Sequence, residues 1–322
     1  MMKTKKVLIV FFFFLAGLRS ASSQVAQFPF SFNGKHIWFK LSYPERKSLD
    51  FIFDTGATNA TIDSITAEKY GINKLQRKVI SMGGSGGSGN YIMVNNQKLK
   101  VGGVEIDNVN LILVNFSSLS AHVNAKIDGI IGYEILKKYT TKLDFESKKI
   151  LLYNEIKSVD TSGYVGIPFE FSKNILIPRF PITIKLANGE NFTGKVMFDT
   201  GNAATLLIST PFSKFHHFND KLGKTLVTEG RGLSAVTQDR LANIKAMSFN
   251  GFNFGEMGVS LTINDAAEPK DGYLGILGID VIKRFHVILD YSHQKIYLRP
   301  NGLYNEVFKL HKVYDTSTTN PN

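Results

Sequence analysis

The sequence predicts an all-β protein built from two homologous halves. Three observations predict it. Short apolar runs rich in Phe, Ile, Val and Leu alternate with polar residues and end in glycine turns, as half-buried strands do. Phe53-Asp54-Thr55-Gly56 recurs as Phe198-Asp199-Thr200-Gly201, an offset of 145. Residues 129–153 align without gaps onto 275–299, an offset of 146, with nine identities in twenty-five positions. Those nine are Gly129, Ile130, Gly132, Lys137, Leu143, Asp144, Lys149, Ile150 and Leu152. Self-similarity at a fixed spacing marks a duplicated unit.

Composition narrows the functional classes. A chain of 322 residues holds about two units on the usual domain-size prior. Cysteine is absent, which excludes disulfides, thiolate-bound zinc, iron–sulfur clusters and a thiol nucleophile. The formal net charge is +11, yet no basic block or aromatic–basic motif accompanies it, so nucleic acid is not an expected partner.

The N-terminus is ordered as basic residues (Lys3, Lys5, Lys6), an apolar run from Val7 to Leu18, then small and polar residues. This is the order of a secretory signal peptide, with Ala21 and Ser23 suited to the cleavage site. We expect residues 1–23 to be the signal and the mature protein to be exported, periplasmic or secreted. The apolar run is short for a membrane span, and no stable membrane insertion is expected. Residues 24–158 then form the first lobe, 159–302 the second, and 303–322 a tail read as a peripheral strand or disordered. The seam falls in the polar stretch from Val159 to Gly166.

Strands are expected at His36–Leu41, Asp50–Phe53, Asn108–Val114, Ile182–Leu186 and Lys195–Phe198. Helices are short. Asp63 or Ser64 caps one that Gly71 closes. Thr210-Pro211 opens another, with proline in the first turn. Tyr133–Tyr139 and Ile279–Phe285 read as one- to two-turn helices, each after a glycine motif.

The repeat carries the chemistry. In each half an apolar strand ends in Asp-Thr-Gly. A carboxyl leaving a buried strand is costly to ionise. The glycine lets backbone approach closely, and the threonine hydroxyl can bond backbone beneath the turn. One such turn means little, since strand-terminal Asp-x-Gly is common. Two at equivalent places in a duplicated unit would meet on the axis relating the halves. Two carboxyls in contact share one proton, and such a pair can activate a water for general acid–base hydrolysis of an amide.

At these residues the chain resembles the pepsin/retropepsin-like aspartic proteases, and in particular the fused, two-lobed secreted form of Bacteroidetes. The resemblance rests on Asp54-Thr55-Gly56-Ala57, Asp199-Thr200-Gly201, and the apolar-apolar-Gly motifs Ile130-Ile131-Gly132 and Ile276-Leu277-Gly278. It covers roughly residues 30–302. It implies two six-stranded-barrel-like lobes related by a pseudo-two-fold axis, with few short helices. It also implies Asp54 and Asp199 as the catalytic pair, supported by Thr55, Gly56, Ala57, Thr200, Gly201 and Asn202. The two threonines are expected to interlock beneath the aspartates. No cofactor or metal is implied. The implied activity is endopeptidase cleavage of extended peptides or unfolded proteins by a monomer. Asn202 departs from the Ser, Thr or Ala usual in the family. It keeps a second reading open, a catalytically weak or inactive peptide-binding module on the same fold.

Family members close a flap over substrate. The stretch from Ser81 to Tyr91, with Gly83, Gly84, Ser85, Gly86 and Gly87, suits such a hairpin, and Tyr91 suits the flap aromatic. A second flap is expected around Gly230 and Gly232. The same glycine run matches G-x-S-x-G and G-x-G-x-x-G, but strand-forming residues follow it where those motifs require a helix.

Overall fold

The computed structural model describes residues 24–43, 48–75, 77–84, 87–173, 175–231 and 236–313. Residues 1–23, including the expected signal, lie outside the described residues, as does 314–322. Strands take 52% of the chain and helices 13%, so the protein is mostly β. No helix among the described residues is long and apolar enough to cross a membrane.

The first half contains β1 (Gln24–Phe32), β2 (Ile37–Ser42), β3 (Ser48–Phe53), β4 (Ala60–Asp63) and β5 (Arg77–Gly84). It continues with β6 (Gly87–Val101), β7 (Val104–Val114), β8 (Gly129–Ile131), β9 (Thr140–Asp144) and β10 (Lys149–Tyr153). The second half contains β11 (Val165–Pro168), β12 (Glu170–Ser172), β13 (Ile175–Lys185), β14 (Asn191–Phe198) and β15 (Leu206–Ile208). After these come β16 (Leu226–Arg231), β17 (Val236–Ile244), β18 (Ala246–Phe249), β19 (Phe252–Phe254) and β20 (Met257–Ile263). The last are β21 (Tyr273–Leu277), β22 (Phe285–Asp290) and β23 (Lys295–Pro300). Between them lie α1 (Ser64–Lys69), α2 (Ser117–Val123), α3 (Tyr133–Leu136), α4 (Thr210–Phe215) and α5 (Ile279–Ile282).

The same pairings occur in both halves. β3 pairs in parallel with β8, as β14 does with β21. β4 lies antiparallel to β8 and parallel to β7, as β15 lies to β21 and β20. The hairpins β5–β6 and β16–β17 hang from β7 and β20. The sequence accounts for these elements. Phe51 and Phe53 alternate with Ile52, all three buried, because β3 is covered on both faces. Asp63 caps α1 by accepting from the Thr66 N–H at 2.9 Å, and Gly71 ends it at φ 69°. Ser209 caps α4, with Pro211 in its first turn. The helices after Gly132 and Gly278 are single turns, shorter than their sequence suggests, because β9 and β22 draw the chain back into the sheet.

Six strands run across the junction in the order β11-β23-β22-β9-β10-β1, and β1 continues through β2 into the rest of a thirteen-stranded sheet. The centre of the six is β9–β22, where Leu143 faces Val287, Lys142 faces Ile288 and Thr141 faces Leu289. The sequence placed a polar seam at 159–166. The chain there is already committed to this sheet, since Val165 begins β11 and pairs with Leu298.

The tail differs from its expected form. Through residue 313 it is neither a strand nor loose. Arg284, nearly all buried, donates from Nε to the Asp280 carbonyl and from Nη1 to the Leu303, Tyr304 and Glu306 carbonyls. Its guanidinium lies over the Phe308 ring, 3.6 Å from the centroid. Tyr304 packs on Phe254 and Phe285. A single polar group thus straps the tail to the second half, a device invisible to strand periodicity. Phe308→Ala should therefore lower unfolding free energy by about 3 kcal/mol. Val307→Ala, at a side chain 91% exposed, should change it by less than about 0.5 kcal/mol. Urea unfolding of the two variants checks the contrast.

Candidate active site

Asp54 follows the last residue of β3, and its N–H donates to the Ile131 carbonyl at 3.0 Å. Asp199 follows β14, and its N–H donates to the Leu277 carbonyl at 3.1 Å. Each aspartate is thus hung from the apolar-apolar-Gly strand of its own half. Each also folds its turn back on itself: Gly56 N–H donates to Asp54 Oδ1 at 2.7 Å, and Gly201 N–H to Asp199 Oδ1 at 2.8 Å.

The threonines join the turns. Thr55 Oγ1 donates to the Phe198 carbonyl at 2.7 Å and accepts from the Thr200 N–H at 3.0 Å. Thr200 Oγ1 donates to the Phe53 carbonyl at 3.1 Å and accepts from the Thr55 N–H at 3.0 Å. Both threonines are buried, and their N–H groups and the Phe53 and Phe198 carbonyls find their partners in the other half.

Glycine is required by proximity. A Cβ on Gly56 would stand 2.6 Å from Asp199 Cγ, and one on Gly201 would stand 2.4 Å from Asp54 Cγ. Each carboxyl therefore rests on the other half's glycine. A Cβ on Gly132 would lie 1.7 Å from the Asp54 carbonyl oxygen. A Cβ on Gly278 would lie 2.0 Å from the Ala204 carbonyl oxygen.

The two carboxyls are seated against each other's turns and keep part of their surface open to water. Burial, then the charge and hydrogen bond of Asp199, hold Asp54 well above the usual carboxylate range. Burial raises Asp199 too, offset by the bond from Asp54 and by the N–H groups of Gly201, Asn202 and Gly56. The two titrate as a unit, and their burial and mutual contact favour a state in which the pair shares one proton.

Ala57 and Asn202 occupy equivalent places. The Ala57 carbonyl accepts from Tyr133 N–H at 3.1 Å, and the Asn202 carbonyl from Ile279 N–H at 2.8 Å. The Asn202 side chain is turned away from the carboxyls: its Oδ1 accepts from Ala204 N–H at 2.9 Å. It closes a local turn and leaves the Asp199 contact undisturbed.

Of the expected hairpin residues, Gly83 pairs with Ser88 and Gly84 with Gly87, near the tip of β5–β6. Ser85, Gly86 and Gly232 lie outside the described residues. Gly230 stands inside the β16–β17 ladder opposite Thr237, where a Cβ would lie 2.2 Å from Asp239 Oδ2. It packs closely within the ladder, one pair from the last described pair, Arg231–Val236. Tyr91 faces Ile80, and its ring packs on a buried cluster containing Trp38, Ile52, Met93 and Ile130, beside Ala57. Sequence reasoning missed this cluster, because its members come from separate strands and α2 and share no local spacing.

Two tyrosines near the carboxyls were also missed. Tyr291, almost fully buried, has its hydroxyl pushed well up by burial and by the charges of Asp54 and Asp199. Burial raises Tyr273 to about 12, with Asp199 adding to the rise. Among the described residues one group could hold a metal: Asp144, Glu146 and His286, whose ligand atoms lie within 4.8 Å of one another. The imidazole stands between the carboxylates, 3.6 Å from Asp144 and 3.2 Å from Glu146, at the end of β9–β22. It is remote in sequence from both Asp-Thr-Gly turns.

Residues 29–135 match the sequence model of the aspartyl protease family. The match includes the first Asp-Thr-Gly and the first apolar-apolar-Gly motif, and it supports an aspartic-type hydrolase. No curated protein matches the chain.

Two outcomes follow from the geometry. Thr55→Val or Thr200→Val orphans one buried N–H and one buried carbonyl, and each should cost about 2–4 kcal/mol in urea unfolding. Serine at either place keeps both bonds and should cost only about 1 kcal/mol for the lost methyl. The raised Asp54 makes a second outcome. The native state binds this proton more tightly than the unfolded chain, so the contribution is full below about pH 4 and fades as pH rises through the raised value. Asp54→Asn removes the titration. Its melting temperature should gain on the wild type between pH 4 and pH 7, as scanning calorimetry at both values would record.

Proposed function

We propose that the chain is a pepsin/retropepsin-like aspartic endopeptidase made of two barrel-like lobes related by a pseudo-two-fold axis. Residues 24–158 and 159–302 form the lobes. The single observation that carries this reading is the mutual threonine bonding that seats Asp54 and Asp199 against each other. In this reading the protein is exported in the manner of the secreted bacterial form. It works as a monomer on extended peptides or unfolded proteins.

The chemistry follows from the shared proton. A water held by the pair gives a proton to the ionised carboxylate and attacks the peptide carbonyl carbon. The other carboxyl donates its proton to the carbonyl oxygen, giving a tetrahedral diol. The first carboxyl then passes its proton to the amide nitrogen, the C–N bond breaks, and the second carboxyl recovers its proton as the diol collapses to an acid. Protons and electron pairs balance, and the pair ends in its starting state. The Gly56, Gly201 and Asn202 N–H groups stabilise the ionised form without moving, so little reorganisation accompanies each transfer. The β5–β6 and β16–β17 hairpins are suited to cover an extended strand and to bond its backbone. Asn202, the feature that favours a non-catalytic peptide binder, is spent on its own turn.

Cleavage of an unstructured protein should be fastest at about pH 4–6, where the pair holds one proton. Asp54→Asn and Asp199→Asn should each lower it by at least about a thousandfold, and the double variant should be no worse, because the carboxyls act as a unit. A peptide with a secondary alcohol at the scissile position should inhibit the wild type. Peptide binding without hydrolysis at any pH would replace the enzyme reading with the binding one.

A further inference from the structure

The two halves do not present the same wall beside the carboxyls. Strand register makes the comparison direct. Trp38 faces Ile52 across β2–β3, and Arg179 faces Met197 across β13–β14. Ile52 and Met197 each stand two residues before their aspartate, so Arg179 occupies the place of Trp38. By the same ladders Asp239, Ser260 and Thr262 occupy the places of Tyr91, Ile112 and Val114, and Tyr273, two residues before Gly275 as Ile127 is before Gly129, stands with them. The first wall is apolar and sealed, because Leu119 and Val123 of α2 pack over it. In the second half the corresponding segment, 264–272, forms no helix, and these five residues keep part of their surface exposed.

Arg179 stands out in the second wall. Its guanidinium lies over the Tyr273 ring, 5.0 Å from the centroid, and Tyr273 senses the charge of Asp199. Its Nε–H is buried and meets no acceptor, and among the described residues no carboxylate pairs with it. A buried guanidinium donor without an acceptor is expensive to maintain. The planar fork is suited to a carboxylate, which it binds through two parallel bonds. Asp239, on the hairpin strand, bonds to Thr237 and leaves Arg179 unpaired.

We propose that Arg179 forms a subsite for a carboxylate carried by the bound peptide, an aspartate or glutamate side chain on one side of the scissile bond. The inference rests on the endopeptidase reading of the same cleft. It makes the cleft directional, with one greasy and one cationic flank.

The test uses the full-length protein. A randomised octapeptide pool, with the products sequenced, defines the bond cleaved. Matched octapeptides then carry Glu, Gln or Lys at each of the two residues flanking it. The wild type should favour Glu over Gln at one flank by about tenfold or more in kcat/KM. At that flank Lys should be poorest. Arg179→Gln should collapse the Glu-to-Gln ratio towards one, and Arg179→Lys should retain part of it, because an ammonium keeps the charge without the fork. A ratio unchanged in Arg179→Gln overturns the proposal while leaving the hydrolase reading intact. Equilibrium binding of the same peptides separates the two ideas. Glu-selective binding that Arg179→Gln abolishes, without hydrolysis, keeps the subsite and removes the hydrolase.

Discussion

Two threonine hydroxyls hold the chain at residue 54 to the chain at residue 199. Each hydroxyl donates to the carbonyl that ends the other half's strand and accepts from the N–H of the other half's threonine. A buried strand end would otherwise leave those groups unpaired at a cost of about 1–3 kcal/mol each. The bonds fix the distance between the turns, and the glycines at 56 and 201 allow that distance to be short. The proton shared by the aspartates is a result of this closeness. Without the threonines, burial alone would raise each carboxyl but would not couple them.

Much of this was legible because duplication writes the constraint twice. Asp-Thr-Gly and the later apolar-apolar-Gly motif recur in the same order at offsets of 145 and 146. Each motif is there for a steric reason: Gly132 and Gly278 pass so close to backbone carbonyls that a Cβ has no room. The strand cores around Phe51 and Val196 were legible from their apolar runs. The tail was not, because its attachment depends on the single buried Arg284 and its carbonyl partners.

The cleft walls were illegible for a different reason. Trp38 and Arg179 share no local motif, and they become equivalent only through the registers of β2–β3 and β13–β14. Duplication keeps backbone positions while side chains diverge. The paired turns are held alike by mutual hydrogen bonding, and the walls carry no such obligation. The first wall has joined a buried cluster under α2, whereas the second has stayed open and polar.

The reach of the threonine bonds also bears on when the site can exist during synthesis. Every pairing among β1 to β8 lies within the first half, and those strands emerge from the ribosome early. The partners of Thr55, however, are the Phe198 carbonyl and the Thr200 N–H, some 145 residues farther along. Until that stretch has left the exit tunnel, Asp54 has no neighbour with which to share a proton. At ribosomal rates of about 5–20 residues per second, the interval lasts about 7–30 seconds. Through that interval the nascent first half carries its aspartate without a partner, so catalytic competence arises late, as a property of the finished chain.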